Sequence, residues 1–175
     1  METETELKLK EAAEQCEGYR LQGFHCSESC IRAVADALNT ELPEQLKRVS
    51  SGFRGGGGGY GDRCGTLEAG IMLISHLYGR TTPEVDVSDY SYLIRLLHER
   101  YNEELGSYYC RVLRPFAYHL SGDAQNCSYV YKNGAKIVTR LLLEADQLIV
   151  NMPEQEKYGY KKDQTAELCG TGIST

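Results

Sequence analysis

Apolar and polar positions follow a helical period along almost the whole chain. Leu9, Ala12, Ala13 and Cys16 fall at i, i+3, i+4 and i+7 and predict an amphipathic opening helix that Gly18 or Gly23 can end. Ile31, Val34, Ala35 and Leu38 repeat the spacing, so "CSESCIRAVADALN" reads as a second helix. Pro43 suits a helix's first turn, and "PEQLKRVSS" reads as a short third helix running into a glycine-rich loop. After the loop, "CGTLEAGIMLISHLYG" is apolar nearly all round as far as Gly79, the pattern of a buried central helix. Ser88 or Asp89 can cap "YSYLIRLLHERYNEELG", with Leu93, Leu97 and Tyr101 on one side and Gly106 at its end. "SYYCRVLRPF" reads as a short helix stopped before Pro115, because the residue before proline is pushed out of helical geometry. Asp123 or Asn126 can cap "CSYVYKNGAKIVTRLLLEADQLIV", whose stripe is Val130, Ile137, Leu141, Ala145 and Leu148. Gly134 inside that stripe costs about 1 kcal/mol relative to alanine. No strand alternation interrupts these periods. The expected class is all-α: a single-domain helical bundle over residues 1–150, with a buried central helix after the glycine loop. Residues 151–175 read as a polar tail or docking arm.

Composition narrows the picture. A chain of 175 residues with 41% hydrophobic content is one domain's worth and can bury a core. It has no run of about 18 uncharged apolar residues, and "METETELKLK" lacks a signal peptide's basic and apolar regions, so a soluble cytoplasmic protein with no membrane partner is expected. A formal net charge of -6 disfavours nucleic acid, which needs a basic face, and weakens an RNA reading of "FRGGGGGYG". Seven cysteines is an enriched count for such a chain and points to metal or redox chemistry; being odd, it leaves at least one thiol outside any intramolecular disulfide.

Four cysteines fall at predicted helix starts: Cys26 on the second helix, Cys64 in the first turn of the central helix with Asp62 as N-cap, Cys110 on the short helix and Cys127 on the long one. The unpaired N–H groups and partial positive charge there stabilise a thiolate and lower its pKa. Just before Cys64 stand five consecutive glycines. Glycine loses more backbone entropy on ordering than any other residue, so the run is either a flexible linker or a site for close backbone approach. On the second view Gly55, Gly56, Gly57, Gly58, Gly59, Gly61 and Gly65 form a wall whose amides bond to a thiolate or cluster sulfur held by Cys64. A phosphate-binding P-loop is not indicated, since the GK[ST] ending is missing.

Other residues have a plain and a sharper reading. Cys30, one turn after Cys26, is a small buried hydrophobe or half of a CxxxC pair; Cys16 reads the same way. Cys169 is a resolving thiol or an incidental one. His25 is a further ligand or proton partner for Cys26, and His76 a satisfied core histidine. Glu68, one turn beyond Cys64, is a proton acceptor or a buried structural carboxylate.

Taken together, "GFHCSES", "GGGGGYGDRCGTLEAGIMLISHLYG", "LGSYYCRVL" and "NCSYVYKNGAKIV" resemble the redox-active family named after its cysteine pattern, C_GCAxxG_C_C. The resemblance covers roughly residues 20 to 145, and the pattern's cysteines fall on Cys26, Cys64, Cys110 and Cys127. It implies a helical fold and redox function. This chain departs from the pattern at Thr66 and Ala69, where family members usually carry alanine and glycine. It is also similar to the domain that accompanies haem in split-Soret cytochromes, which implies an iron–sulfur site; no CxxCH haem motif is present.

Three classes of function compete. The first is a redox protein in which Cys26, Cys64, Cys110 and Cys127 hold an iron–sulfur cluster, or exchange with the disulfide of a small thiol or a redox partner protein. In a dithiol scheme Cys64 is the nucleophile and Cys26 resolves. The second is a structural zinc site, against which stands the spread of ligands over separate helices. The third is a non-catalytic helical interaction module with core cysteines.

Overall fold

The computed structural model describes residues 2–123 and 126–157; Cys169 lies outside them. Among the described residues the chain forms seven α-helices and no strand: α1 (Glu4–Leu21), α2 (Cys26–Ala37), α3 (Glu44–Ser50), α4 (Gly65–Tyr78), α5 (Ser88–Leu105), α6 (Cys110–Ser121) and α7 (Ser128–Val150), with single 3-10 turns at Ser51–Phe53 and Glu154–Glu156. The fold is all-α, as the periodicity predicts.

Each amphipathic stripe finds a partner. α1 packs on α2 and α7, α5 packs on α4 and α7, and α2, α4 and α7 meet in the middle, with α6 laid on α7. Ile31, Val34, Leu67, Leu73, Leu97, Ile137 and Leu141 are fully or almost fully buried. Small residues set how closely the central helices approach. A Cβ on Gly70 would meet the side chains of Leu97 and Val138, and one on Gly134 would meet Thr66 Oγ1 and the Tyr101 hydroxyl. The helix-propensity cost at Gly134 is therefore the condition for α7 to pass close to α4 and α5.

Three local expectations are corrected. α6 does not stop before Pro115 but runs through it to Ser121. Pro115 is exposed, and α6 forgoes only the bond to the Arg111 carbonyl while Leu113 and Ala117 keep their buried contacts. α5 is capped neither by Ser88 nor by Asp89; the Asp86 carboxylate accepts the Ser88 N–H at 2.7 Å. His76 is exposed rather than buried, because the enclosed face of α4 ends at Ile74 and the last turn projects past its neighbours. At the chain's far end, the start of the polar tail is tied to α5, where Arg95 donates to the Glu156 carboxylate at 2.7 Å.

Candidate functional site

The glycine loop is built by left-handed backbone. Gly55, Gly56, Gly57, Gly58 and Gly59 have φ of 59°, 74°, 76°, 58° and 95°, a succession that residues with a Cβ adopt only at a cost at every step. The turns close on themselves: Gly58 N–H bonds to the Gly52 carbonyl at 2.9 Å, Gly59 to Arg54 at 2.9 Å, Gly61 to Gly55 at 2.9 Å and Asp62 to Gly56 at 3.1 Å. The loop is thus a folded knob, not a linker. It is also not the continuous wall expected from the sequence, since most of its amides are spent on its own carbonyls. Gly55 alone lines the cysteine cavity, where its amide faces the Cys26 sulfur; Gly56 and Gly57 face a separate cleft.

Beyond the knob the chain pairs with the segment before α6. Cys64 N–H donates to Tyr108 O at 2.8 Å, Cys110 N–H to Asp62 O at 2.7 Å and Arg111 N–H to Gly61 O at 3.0 Å, around an antiparallel bridge between Arg63 and Tyr109. This short ladder brings Cys64 and Cys110 to one place. Cys64, not Asp62, is the N-cap residue of α4. Gly65 then serves contact rather than ligand binding: a Cβ there would overlap the Cys26 sulfur and lie 3.0 Å from the Phe53 carbonyl. Cys26 at the start of α2 consequently rests against the residue next to Cys64. Cys127 is the N-cap residue of α7, beside Asn126, whose side chain accepts the Ser128 N–H at 2.8 Å.

All four predicted cysteines line one cavity of about 380 Å³, together with His25, Arg54, Gly55, Leu113, Arg114, Tyr118, Val130 and Tyr131. Cys26 and Cys127 are partly exposed, Cys110 and Cys64 buried. The thiols are not acidic. Burial pushes Cys64 up to about 12, with the Thr66 hydroxyl, 3.2 Å from its sulfur, opposing the rise. Burial likewise lifts Cys127 to about 11 and raises Cys26 and Cys110, while the Arg114 guanidinium pulls Cys110 and Cys127 back down and the Gly55 amide does so for Cys26. This reverses the helix-start expectation. Removal from water costs a thiolate more than a helix end returns, and the first amides of α6 are already spent on Gly61 and Asp62.

The remaining candidates separate. Cys16 and Cys30 are fully buried in the core, the plain reading; Cys30 turns inward to the Thr66 carbonyl at 3.7 Å. His25 is exposed at the cavity rim and caps α2 through its backbone N–H to Glu28 at 3.1 Å. Glu68 does not face the thiols: it is buried and ion-paired to Arg63 at 2.7 Å in the cleft behind the loop. Burial raises its pKa, against the opposing charge of Arg63. Sequence reasoning missed Arg54, Arg114, Tyr118 and Tyr131. Helical spacing could have found three of them, since Arg114 follows Cys110 by four residues, Tyr118 follows Arg114 by four, and Tyr131 follows Cys127 by four.

Four thiols around one cavity match, in number and kind, the donor set of an iron–sulfur cluster. Their spacing as they stand suits neither a single zinc ion nor the metal of a cluster, because no three metal-ligating side chains among the described residues converge on one point.

No helix among the described residues is long and apolar enough to cross a membrane. No solved structure matches the chain. A curated relative from Archaeoglobus fulgidus, described as "Uncharacterized protein", is 41% identical over 51 residues, which make up 29% of this chain and 34% of that protein. The chain therefore aligns with about a third of that relative's length. Residues 24–141, well over half of the chain and including all four cavity cysteines, match the family described as "Putative redox-active protein (C_GCAxxG_C_C)", and the chain belongs to that family.

Proposed function

We propose that the cavity is a dithiol–disulfide redox centre and that Cys26 and Cys64 are its working pair. The observation that carries this reading is the convergence of four cysteines, from the starts of four different helices, on one cavity. Cys26 is the attacking thiol, because it is the partly exposed one of the pair and has the Gly55 amide beside it. Cys64 resolves, since its sulfur is buried one residue from the Gly65 backbone on which Cys26 rests. The order is the reverse of the one the sequence suggested, where an accessible Cys64 was expected.

In the reaction the Cys26 thiolate attacks one sulfur of a disulfide, a Cys26–substrate mixed disulfide forms, and the first substrate thiolate leaves. The Cys64 sulfur then attacks Cys26, and the second substrate thiolate leaves. One substrate disulfide is reduced to two thiols and one Cys26–Cys64 disulfide forms; the two protons shed by the cysteines pass to the departing sulfurs. His25 at the rim supplies an imidazole through which the Cys26 proton can leave.

The number of cysteines favours a second reading, because exchange needs two and the cavity has four. Cys26, Cys64, Cys110 and Cys127 would hold an iron–sulfur cluster, which supplies one-electron chemistry when bound. Anaerobic purification followed by a visible spectrum and iron and sulfide analysis separates the two. A colourless, iron-free protein whose Cys26 and Cys64 are oxidised together by a small disulfide supports exchange. A brown protein with stoichiometric iron and sulfide, bleached by Cys64→Ser, establishes the cluster instead.

A further inference from the structure

The charge of the cavity opposes that of the molecule. The chain carries a formal net charge of -6, yet the cavity is lined by two arginines, Arg54 and Arg114, and by no carboxylate among the described residues. Neither arginine makes an ion pair among the described residues. Of the other partly buried arginines, Arg20 pairs with Glu17 at 2.6 Å, Arg95 with Glu156 at 2.7 Å and Arg100 with Glu144 at 2.6 Å, whereas Arg32 bonds the Glu28 carbonyl at 2.9 Å and stacks on Phe24; of the two cavity arginines Arg114 is half-buried and Arg54 exposed. Arg114 sits one helical turn after Cys110, close enough to favour the ionised form of both Cys110 and Cys127. The Tyr118 hydroxyl lies beside it, and Arg54 leads into the glycine knob. A guanidinium left without a carboxylate inside a cavity is a ready-made binding group for one, through paired charge-assisted hydrogen bonds.

We infer that the cavity selects a small anionic disulfide, one whose carboxylate is held by Arg114 and Arg54 while its sulfur–sulfur bond is presented to Cys26. The inference rests on the exchange reading above and adds the charge of the substrate to it. A volume of about 380 Å³ suits a small molecule rather than a protein loop. The balance is that of the exchange already written: the anionic disulfide is the oxidant, two substrate thiols leave, and the carboxylate takes no part beyond binding.

Three disulfides of similar size and different charge test this: 3,3′-dithiodipropionate (anionic), 2-hydroxyethyl disulfide (neutral) and cystamine (cationic), each reacted with the reduced full-length protein at low salt. The anionic reagent is expected to oxidise Cys26 about tenfold faster than the neutral one, and the cationic one slowest. Arg114→Gln removes that tenfold advantage, whereas Arg140→Gln, which removes the same charge about 20 Å along α7 from Cys127, leaves it. Raising the salt narrows the spread. Equal rates for all three, or an order that survives Arg114→Gln, would overturn the anion selectivity and leave exchange intact. If none of the three oxidises the protein, the exchange reading itself falls, and the disulfide with it. A parallel measurement keeps the charge question separate: iodoacetate relative to iodoacetamide should alkylate Cys26 and Cys127 several-fold better in the folded protein than in the unfolded one. A folded ratio no higher than the unfolded ratio contradicts an anion-binding cavity whatever its chemistry.

Discussion

Single residues decide how reactive the cavity is at rest. Burial holds Cys64 at about 12 and Cys127 at about 11 and raises Cys26 and Cys110 as well, so the cavity thiols rest protonated at neutral pH. Alkylation of Cys127 should accordingly rise about tenfold per pH unit between pH 7 and 10, measured by timed labelling and mass spectrometry; a plateau below pH 9 would contradict the raised value. The same shift has a stability consequence of fixed sign. Because the folded value for Cys64 lies above the unfolded one near 8.5, the folded state holds its proton longer. The stabilisation is complete below about pH 8 and is lost as pH rises toward 12, with a slope that approaches 1.4 kcal/mol per pH unit, about one proton's worth. Comparing unfolding midpoints of wild type and Cys64→Ala from pH 7 to 10 isolates this contribution, and parallel pH curves would refute it. Thr66 and Gly134 form a second residue-level unit. Gly134→Ala gains about 1 kcal/mol of helix propensity but drives a methyl group into Thr66 Oγ1 and the Tyr101 hydroxyl, so we expect a net loss of about 2 kcal/mol in denaturant unfolding. Thr66→Ala should recover part of that loss in the double variant. Strict additivity of the two changes would show that they do not touch.

Among the elements, the glycine knob and the ladder beside it do most to assemble the site. Gly56 and Gly57 both have positive φ, but a Cβ on Gly56 would overlap the backbone of Gly61 and Asp62, whereas Gly57 faces open space. Gly57→Ala should therefore cost about 1–2 kcal/mol of stability from the left-handed backbone alone. Gly56→Ala should cost about 3 kcal/mol or more and should also expose Cys64 to alkylation, because the segment that carries it is displaced. Similar losses at the two positions would mean that the loop packs differently. Much of this level is legible in the sequence. The stripes of α2, α5 and α7 fall where Ile31, Leu93, Leu97, Tyr101, Ile137 and Leu141 are buried, and all four helix starts carry their predicted cysteine. What the sequence does not reveal is non-local. Pairing of 61–64 with 108–111 involves too few residues to leave an alternation pattern, and amides spent on loop carbonyls cannot be read from a glycine count. Pro115 reads as a helix stop locally, but the burial of Leu113 and Ala117 against α7 outweighs it.

For the whole molecule, the fold's result is an open cavity lined by four thiols and two arginines on an acidic chain. The four cysteines are spread over about a hundred residues of sequence, so their convergence could be expected only from the family pattern and not from spacing. The thiol pKa values were misjudged for a related reason: a helix end is a local feature, whereas burial is a property of the assembled bundle. The same bundle buries Cys16 and Cys30 in its core, outside the lining of the cavity, although Cys30 reaches the carbonyl of Thr66, whose hydroxyl meets the Cys64 sulfur. That full burial, against the partial exposure of Cys26, gives the account its most direct test, a cysteine-by-cysteine map of the folded, iron-free protein before and after oxidation by a small disulfide, read by differential alkylation and mass spectrometry. The account predicts that Cys26 and Cys64 lose their free thiols together and appear as one linked peptide pair, while Cys16 and Cys30 stay reduced. Retention of the free Cys26 and Cys64 thiols under oxidant, or oxidation confined to Cys16 and Cys30, would contradict it.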